Sequence, residues 1–456
     1  MADKGKTLGR APDGQILLVD DAVPGDIVTV RVLRKKKGLK WGVAETISQL
    51  SPHRVEPRCQ HFELCGGCKW QHLDYNEQLR QKDRIVKDAF TRIAKIDVQQ
   101  WEPILGADPL FYYRNKMEYT FSRNRWLTYE EINSDQEITN REAVGLHRPG
   151  AYNKIIDIKE CLLQDPKGDQ IRNGIKSYAK EHGISLFDID KHEGALRTLM
   201  MRNTTLGEFM VTVVFYTLDQ ERIIKLLDHL TATYPFITSL YYVINQKKND
   251  SLSDQNFIHY AGETHIREQL DQITYVISPN SFFQTNSYQA KNLYDQIKLF
   301  STLSKDSTVY DLYSGTGSIG LYLADQCREV IGIEEIDAAV KDARINATQN
   351  SITNAHFYTG DVRYVLNKEL LDKHGAPDTI ILDPPRAGIH EEALQFILSI
   401  GAPQIVYVSC NPATQARDVK LLSELYDAVK SRAVDMFPHT NHIENVLLLT
   451  KKEVIA

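Results

Sequence analysis

The chain has 456 residues, 42% of them apolar and 25% charged, and a net charge of −6. Such a length and composition describe globular protein of about three domains with a large core. No apolar run approaches the roughly 18 residues of a membrane span, and the opening MADKGKTLGRAPDG lacks the apolar stretch of a secretory signal. The expectation is therefore a cytoplasmic protein, with no membrane partner and no overall electrostatic footprint of a nucleic-acid binder.

Residues 1–57 read as short strands separated by closely spaced Gly and Pro turns: GQILLVD, then IVTVRVLRKKKG, then WGVAETISQL. The alternation in Ile27-Val28-Thr29-Val30-Arg31-Val32 predicts a small antiparallel, OB-like β-barrel. Charge is unevenly spread, with eleven Lys and Arg against seven Asp and Glu in residues 1–58 and the densest basic patch at RVLRKKKGLKWG, 31–42. A basic patch beside an aromatic can hold RNA while the whole chain stays acidic; taken by its charge alone, the patch reads first as a solvated hairpin tip.

A proline-containing linker leads to C-x5-C-x2-C at Cys59, Cys65 and Cys68. Disulfides are disfavoured in a reducing compartment, so three cysteines in ten residues read as metal or cluster ligands, with Cys161 as the available fourth. Four thiolates suit zinc, but zinc sites usually come as two C-x2-C knuckles. Clustered thiolates with one distant partner suit a 4Fe-4S cluster. Residues 75–94 follow as an amphipathic helix, and the remainder of 58–270 mixes strands and helices as a central α+β domain.

From 271 to 456 the pattern becomes regular. Strands at 307–314, 329–335, 355–361, 378–385 and 404–410 alternate with helical stretches, which predicts an α/β, Rossmann-like, doubly wound parallel sheet. Asp311, Glu334, Asp361, Asp383 and Cys410 all fall at the carboxyl ends of strands, where such sheets bind ligands.

DLYSGTGSIG (311–320) contains G-x-G-x-x-G, and Glu334 stands nineteen residues after Gly315. That spacing fits a dinucleotide site, so a hydride-transferring dehydrogenase has to be weighed. A carboxylate at Asp311, just before the glycines, repels a pyrophosphate. It suits S-adenosylmethionine, which offers ribose hydroxyls, a sulfonium and an ammonium but no phosphate. Asp383-Pro384-Pro385 adds a rigid acidic wall on the fourth strand.

Enzymes that methylate amines usually follow such a D-P-P with Tyr or Phe; here Arg386 follows. Methylation at a carbon needs other parts. C5 of uracil is too weak a nucleophile to attack a methyl sulfonium until a thiolate adds at C6, and a base must afterwards remove the C5 proton. Cys410, turned by Asn411-Pro412, fits the first role, and Glu444, at the mouth of a final apolar strand, fits the second. Cys327 reads as a buried filler, and His439 and His442 read as ordinary loop histidines.

Taken in order, CQHFELCGGCKWQHLDY, SPNSFFQTN (278–286), DLYSGTG, LDPPRAG, VSCNP and FPHTNHIENVLLL resemble the RNA 5-methyluridine methyltransferases over essentially the whole chain, with the 23S rRNA (uracil-5-)-methyltransferases nearest in pattern. The resemblance implies a TRAM barrel at 1–57, a class I methyltransferase domain at 271–456, and RNA as partner, 23S rRNA above tRNA. It implies a 4Fe-4S cluster on Cys59, Cys65, Cys68 and Cys161, and S-adenosylmethionine on Gln284, Tyr313, Glu334 and Asp383, with Ser318 and Asp361 as further candidates. It assigns Cys410 as nucleophile and Glu444 as base, in an enzyme expected to act as a monomer. Many members have Cys where this chain has Ser314, and some have Asn at Ser318. A rival of another class is an RNA-binding assembly factor that has lost catalysis.

Overall fold

In a computed structural model of the chain, residues 1, 5–36, 38–135, 137–453 are described. Lys37 of the basic patch lies outside them. The chain groups into two compact units: one holds residues 1–58, 68–108 and 288–456, the other residues 59–67 and 109–287.

The first unit is built on an eight-stranded sheet. Its order is Ala355–Thr359, Glu329–Glu334, Thr308–Leu312, Thr379–Leu382, Gln404–Ser409, Glu444–Lys451, Tyr426–Val434 and Gln100–Trp101. The first five strands are parallel to one another. Glu444–Lys451 runs antiparallel to both its neighbours. The central strands are largely apolar and almost wholly buried, as a sheet covered on both faces requires. The chain winds outward from Thr308–Leu312 to Ala355–Thr359, then returns to Thr379–Leu382 on the other side of its starting strand. That reversal is the topological switch point, where doubly wound sheets open a crevice.

The helices follow the sequence pattern. Helices Asp337–Gln349, Glu391–Ile400 and Pro412–Leu422 lie between the strands, as the alternation expected of this half requires. The expected amphipathic helix is Tyr75–Ala89, N-capped by the Asp74 carboxylate and continued by a π-helical turn, Phe90–Ala94.

The same unit carries a separate four-stranded sheet, ordered Thr7–Arg10, Ile16–Asp20, Leu39–Gln49 and Ile27–Lys36. Leu17, Val19 and Ala22 form its small core against Val28 and Val30. Two pairings are antiparallel as expected, but Ile16–Asp20 pairs parallel with Leu39–Gln49. The chain between them first forms the Ile27–Lys36 strand, so it is not a simple meander.

The second unit contains a seven-stranded mixed sheet between residues 116 and 262 and a hairpin of Ile266–Leu270 with Ile273–Ile277. Helices Pro166–Glu181 and Gln220–Thr233 bury Ile171, Ile175, Ile223, Leu226 and Leu230 in its core. This matches the α+β texture expected of the middle of the chain. Among the described residues no helix is long and apolar enough to cross a membrane.

Candidate active site

The candidate residues of the first unit cluster at or just past the ends of its strands. Thr308–Leu312 gives way to Tyr313, which adopts a left-handed conformation (φ 67°), as does Gly317 (φ 74°) at the start of the helix Ser318–Leu323. A Cβ on Gly317 would sit 2.7 Å from the Phe357 ring, so the turn has no room for a side chain. Glu334, the last residue of its strand, accepts from Gly315 N at 3.0 Å and from Ile336 N at 2.9 Å, joining the glycine loop to the next loop. The Ser318 hydroxyl accepts from the buried Tyr294 hydroxyl at 2.9 Å.

Asp311 is wholly buried. Its Oδ2 accepts from Gly320 N at 2.9 Å, while its Oδ1 has no partner among the described residues. Burial first, then the carboxylates of Asp383 and Glu334, push its carboxyl up to about 7. Asp383, one residue beyond Thr379–Leu382, is raised to about 7 by burial. Asp361 is differently placed: it caps the short helix Val362–Val365 and pairs with the Arg363 guanidinium at 2.6 Å, which holds its carboxyl below the usual range.

Cys410 is the first residue past Gln404–Ser409, and Asn411 caps the helix that follows by accepting from Ala413 N. Ser409 pairs in register with Asn445, the last pair of the two strands, so that Cys410 follows the one strand where Glu444 begins the other. Buried polar bonds hold that register: Gln415 Nε2 donates to Tyr407 O at 2.9 Å, and Asn445 Nδ2 donates to Gln415 Oε1 at 2.9 Å. Glu444 is buried, and burial raises its carboxyl well above normal with help from Asp383. Burial and then the Glu444 and Asp383 carboxylates push the Cys410 thiol up to about 11, opposed by Arg386. Cys410, Glu444 and Asp383 thus lie together at the carboxyl ends of the parallel strands.

Gln284 lies in the second unit. Its carbonyl accepts from Asn115 Nδ2 at 3.0 Å, which also donates to Ser287 Oγ at 2.7 Å; the Ser287 hydroxyl donates in turn to the fully buried Glu268. Cys59 and Cys161 are close enough in that unit for one thiol to raise the other, behind the larger effect of burial. Gly67 N–H points at Cys65 Sγ at 3.3 Å; in the first unit, Gln71 Nε2 donates to Cys68 Sγ at 3.2 Å. Among the described residues no group of three or more His, Cys, Asp and Glu side chains converges on a metal-holding site. Cys327 is the buried filler expected, with its sulfur against Leu323 O.

Asp311, a cofactor clue in the sequence, has a buried oxygen without a partner among the described residues. Two features escape the sequence reading. Arg386 was weighed only for what it is not. His439 is no ordinary loop histidine: it is buried and left-handed (φ 64°), and its carbonyl accepts from Lys69 N and Trp70 N. Its Nδ1 lies 3.2 Å from Gln78 Nε2, and burial lowers its pKa to about 4.

A parallel sheet wound in this order, with a glycine turn after its first strand and acids at the following strand ends, is the fold of the S-adenosylmethionine-dependent methyltransferases. Residues 193–452 match the family model described as tRNA (uracil-5-)-methyltransferase. The chain belongs to the RNA (uracil-5-)-methyltransferase family. It is 45% identical over 454 residues to an uncharacterized RNA methyltransferase of Bacteroides thetaiotaomicron, covering 98% of this chain and 99% of that one. It is 46% identical over 458 residues to one of Porphyromonas gingivalis, covering 99% and 98%. Among solved structures, it resembles Pyrococcus abyssi tRNA (uracil-54, C5)-methyltransferase in complex with S-adenosyl-L-homocysteine, at TM-score 0.74 and 32% identity, over 97% of this chain and 100% of that one.

Proposed function

We propose that the protein transfers the methyl group of S-adenosylmethionine to C5 of a uridine in 23S rRNA. The observation that supports this chemistry is the register ending at Ser409 and Asn445, which leaves Cys410 and Glu444 at adjoining strand ends with the Asp383 carboxylate acting on both. The crevice suits S-adenosylmethionine rather than a dinucleotide. An orphaned carboxylate oxygen on Asp311 and the strand-end carboxylate of Glu334 favour cations and hydroxyls over phosphate. Tyr313, Glu334, Asp383, Ser318 and Asp361 of the first unit are the proposed cofactor residues. Bound there, the cofactor supplies an electrophilic methyl group.

The chain's own residues would do the rest. Cys410 thiolate adds to uracil C6, and the C5=C6 electron pair moves into an enolate that makes C5 nucleophilic. Once C5 carries the methyl group, Glu444 takes the C5 proton, the pair returns to C5=C6, and the C6–S bond breaks to release the thiolate. The base has to leave its stack to reach this crevice. The four-stranded sheet, read as the TRAM module, offers exposed Arg31, Arg34, Lys35 and Lys36 for phosphates, with the Arg34 guanidinium 4.7 Å above the Trp41 ring.

A 4Fe-4S cluster on the cysteines is kept in this reading on their thiol chemistry alone, because among the described residues no three such side chains converge on one site. No step of the methyl transfer passes through it. Iron and acid-labile sulfide in anaerobically purified protein test it, and their lack would remove it. A cytoplasmic monomer completes the reading.

A tRNA substrate is the second reading, favoured by the full-length likeness to the Pyrococcus enzyme. The deciding measurement is 5-methyluridine by nucleoside mass spectrometry in separated 23S rRNA and tRNA, from cells with and without the protein. Loss from 23S rRNA alone supports the first reading, and loss from tRNA alone replaces it. No loss from either, with no cofactor binding by the purified chain, would favour a non-catalytic assembly factor.

A further inference from the structure

A cluster of polar side chains lies deep in the first unit among apolar strands. Asn445, Gln415 and Ser431 are all wholly buried. Asn445 Nδ2 donates to Gln415 Oε1 at 2.9 Å, and Asn445 Oδ1 accepts from the Ser431 hydroxyl at 3.0 Å. Gln415 Nε2 donates to Tyr407 O at 2.9 Å and to Asn445 O at 3.3 Å. Both side-chain amides are thereby bonded through oxygen and nitrogen alike. Three strands and a helix meet there: Gln404–Ser409, Tyr426–Val434, Glu444–Lys451 and Pro412–Leu422. Replacing a satisfied buried polar set by apolar groups of the same shape costs little stability. Cohesion is therefore not what the cluster adds.

It adds a register. A strand with one wet face is locked in place, because a slip by one residue turns its apolar set to solvent. Glu444–Lys451 lacks that lock, since successive residues from Asn445 to Leu449 are buried. Val446-Leu447-Leu448-Leu449 would pack almost as well one place along. The pairing with Tyr426–Val434 already holds one such shift, between Ala428 and Lys430. Asn445 tells one register from the next, because it must meet Gln415 and Ser431 together. The proposed site depends on that choice. Asn445 directly follows Glu444 and pairs with Ser409, the residue before Cys410. Gln415 N donates to Asn411 O at 3.0 Å, in the helix that Asn411 caps just past Cys410. A slip of one residue moves a strand by roughly 3.4 Å, whereas a base must lie within about 3.2 Å of the proton it takes.

We infer that Asn445, held by Gln415 and Ser431, is the positioning residue that sets the Glu444 carboxylate against the strand end carrying Cys410. It makes and breaks no bond itself. Its influence falls on the last stage, when the C5 proton passes to Glu444, the pair returns to C5=C6 and the C6–S bond breaks. Addition of the thiolate and methyl transfer come before that stage and do not use the base. This rests on the reading of Cys410 as nucleophile and Glu444 as base.

The test is a single-turnover reaction of the purified full-length chain with S-adenosylmethionine and an unmethylated 23S rRNA or tRNA transcript, whichever the wild type methylates. Denaturing electrophoresis reads the covalent adduct, and nucleoside mass spectrometry of the free RNA reads released 5-methyluridine. Asn445→Leu should form the adduct at the wild-type rate but release methylated RNA roughly tenfold more slowly or worse, so that adduct builds up. Asn445→Leu combined with Gln415→Met and Ser431→Ala leaves no partner in the cluster stranded. It should show the same delay at an unchanged melting temperature. Release at the wild-type rate from either variant, natively folded, would overturn the proposal. So would equal losses of adduct formation and release, or loss of the fold in both variants, because the cluster would then serve stability alone. Failure of the underlying reading is separate: Glu444→Gln would then give no adduct, whatever the Asn445 variants do.

Discussion

Lys82 and Asp435 form an ion pair at 2.6 Å with both side chains fully buried. Tyr75 OH donates to the other Asp435 oxygen at 2.9 Å, and Lys82 Nζ also donates to Phe437 O at 3.0 Å. The helix Tyr75–Ala89 thereby grips the segment that leads through His439 to Glu444. Removing one partner of a buried pair leaves an uncompensated charge, a loss of about 3–5 kcal/mol. Lys82→Met should lower the denaturant midpoint by that order and depress methylation, while the paired change Lys82→Met with Asp435→Leu should recover much of the stability. An unchanged midpoint in the single variant would show that the pair contributes little.

The nucleophile and base assignments separate on a gel. Cys410→Ala should abolish methyl transfer with RNA binding retained. Glu444→Gln should leave the proton on C5 and trap a protein–RNA adduct that survives denaturing electrophoresis. Without an adduct, Glu444 is not the base.

Asp311 makes stability depend on pH. Its folded carboxyl titrates near 7, against 3.8 in the unfolded chain. The stability contributed by burying the neutral carboxyl is fully present below pH 3.8 and is lost as pH rises through 7, by about 1.4 kcal/mol per unit at most. Asp383, also raised to about 7, adds to the same slope. Asp311→Asn cannot ionise, so its melting temperature relative to wild type should rise between pH 4.5 and 8. A constant difference across that range would mean that Asp311 is ionised in the folded protein throughout.

The glycine turn admits no side chain. Gly317→Ala would have to hold a left-handed residue and displace the Phe357 ring, at a cost of about 1–3 kcal/mol. Calorimetry should show S-adenosylmethionine binding weakened at least severalfold, and wild-type affinity would show that the turn does not shape the site.

The basic strand should act through phosphates. Replacing Arg34 and Lys35 by Ala should weaken RNA binding for any sequence and reduce the salt slope by about one per lost contact. An unchanged slope would return this patch to a solvated hairpin tip.

The catalytic half was legible because buried parallel strands are continuous apolar runs, so a carboxylate or thiol at each strand end stands out against them. Cys410, Glu444 and Asp383 could be placed that way. The strand Tyr426–Val434 was not: YDAVKSRAV mixes charge with small apolar residues and follows a helix without a clear break. Gln100–Trp101 is a strand of two residues, defined only by its pairing with Lys430 and Ser431. His439 and Lys82 take their meaning from partners more than three hundred residues away, a relation that local pattern does not carry. The cysteine spacing predicts a ligand set, whereas Cys68 falls in one compact unit and Cys59, Cys65 and Cys161 in the other.

The division of the chain into units has a mechanical consequence. The backbone passes from one unit to the other between residues 58 and 59, 67 and 68, 108 and 109, and 287 and 288. One proteolytic nick at any of these crossings leaves the units covalently joined through the others. Fragments from such a nick would separate in detergent but cannot drift apart as free domains, and neither unit can be lost by a single cut.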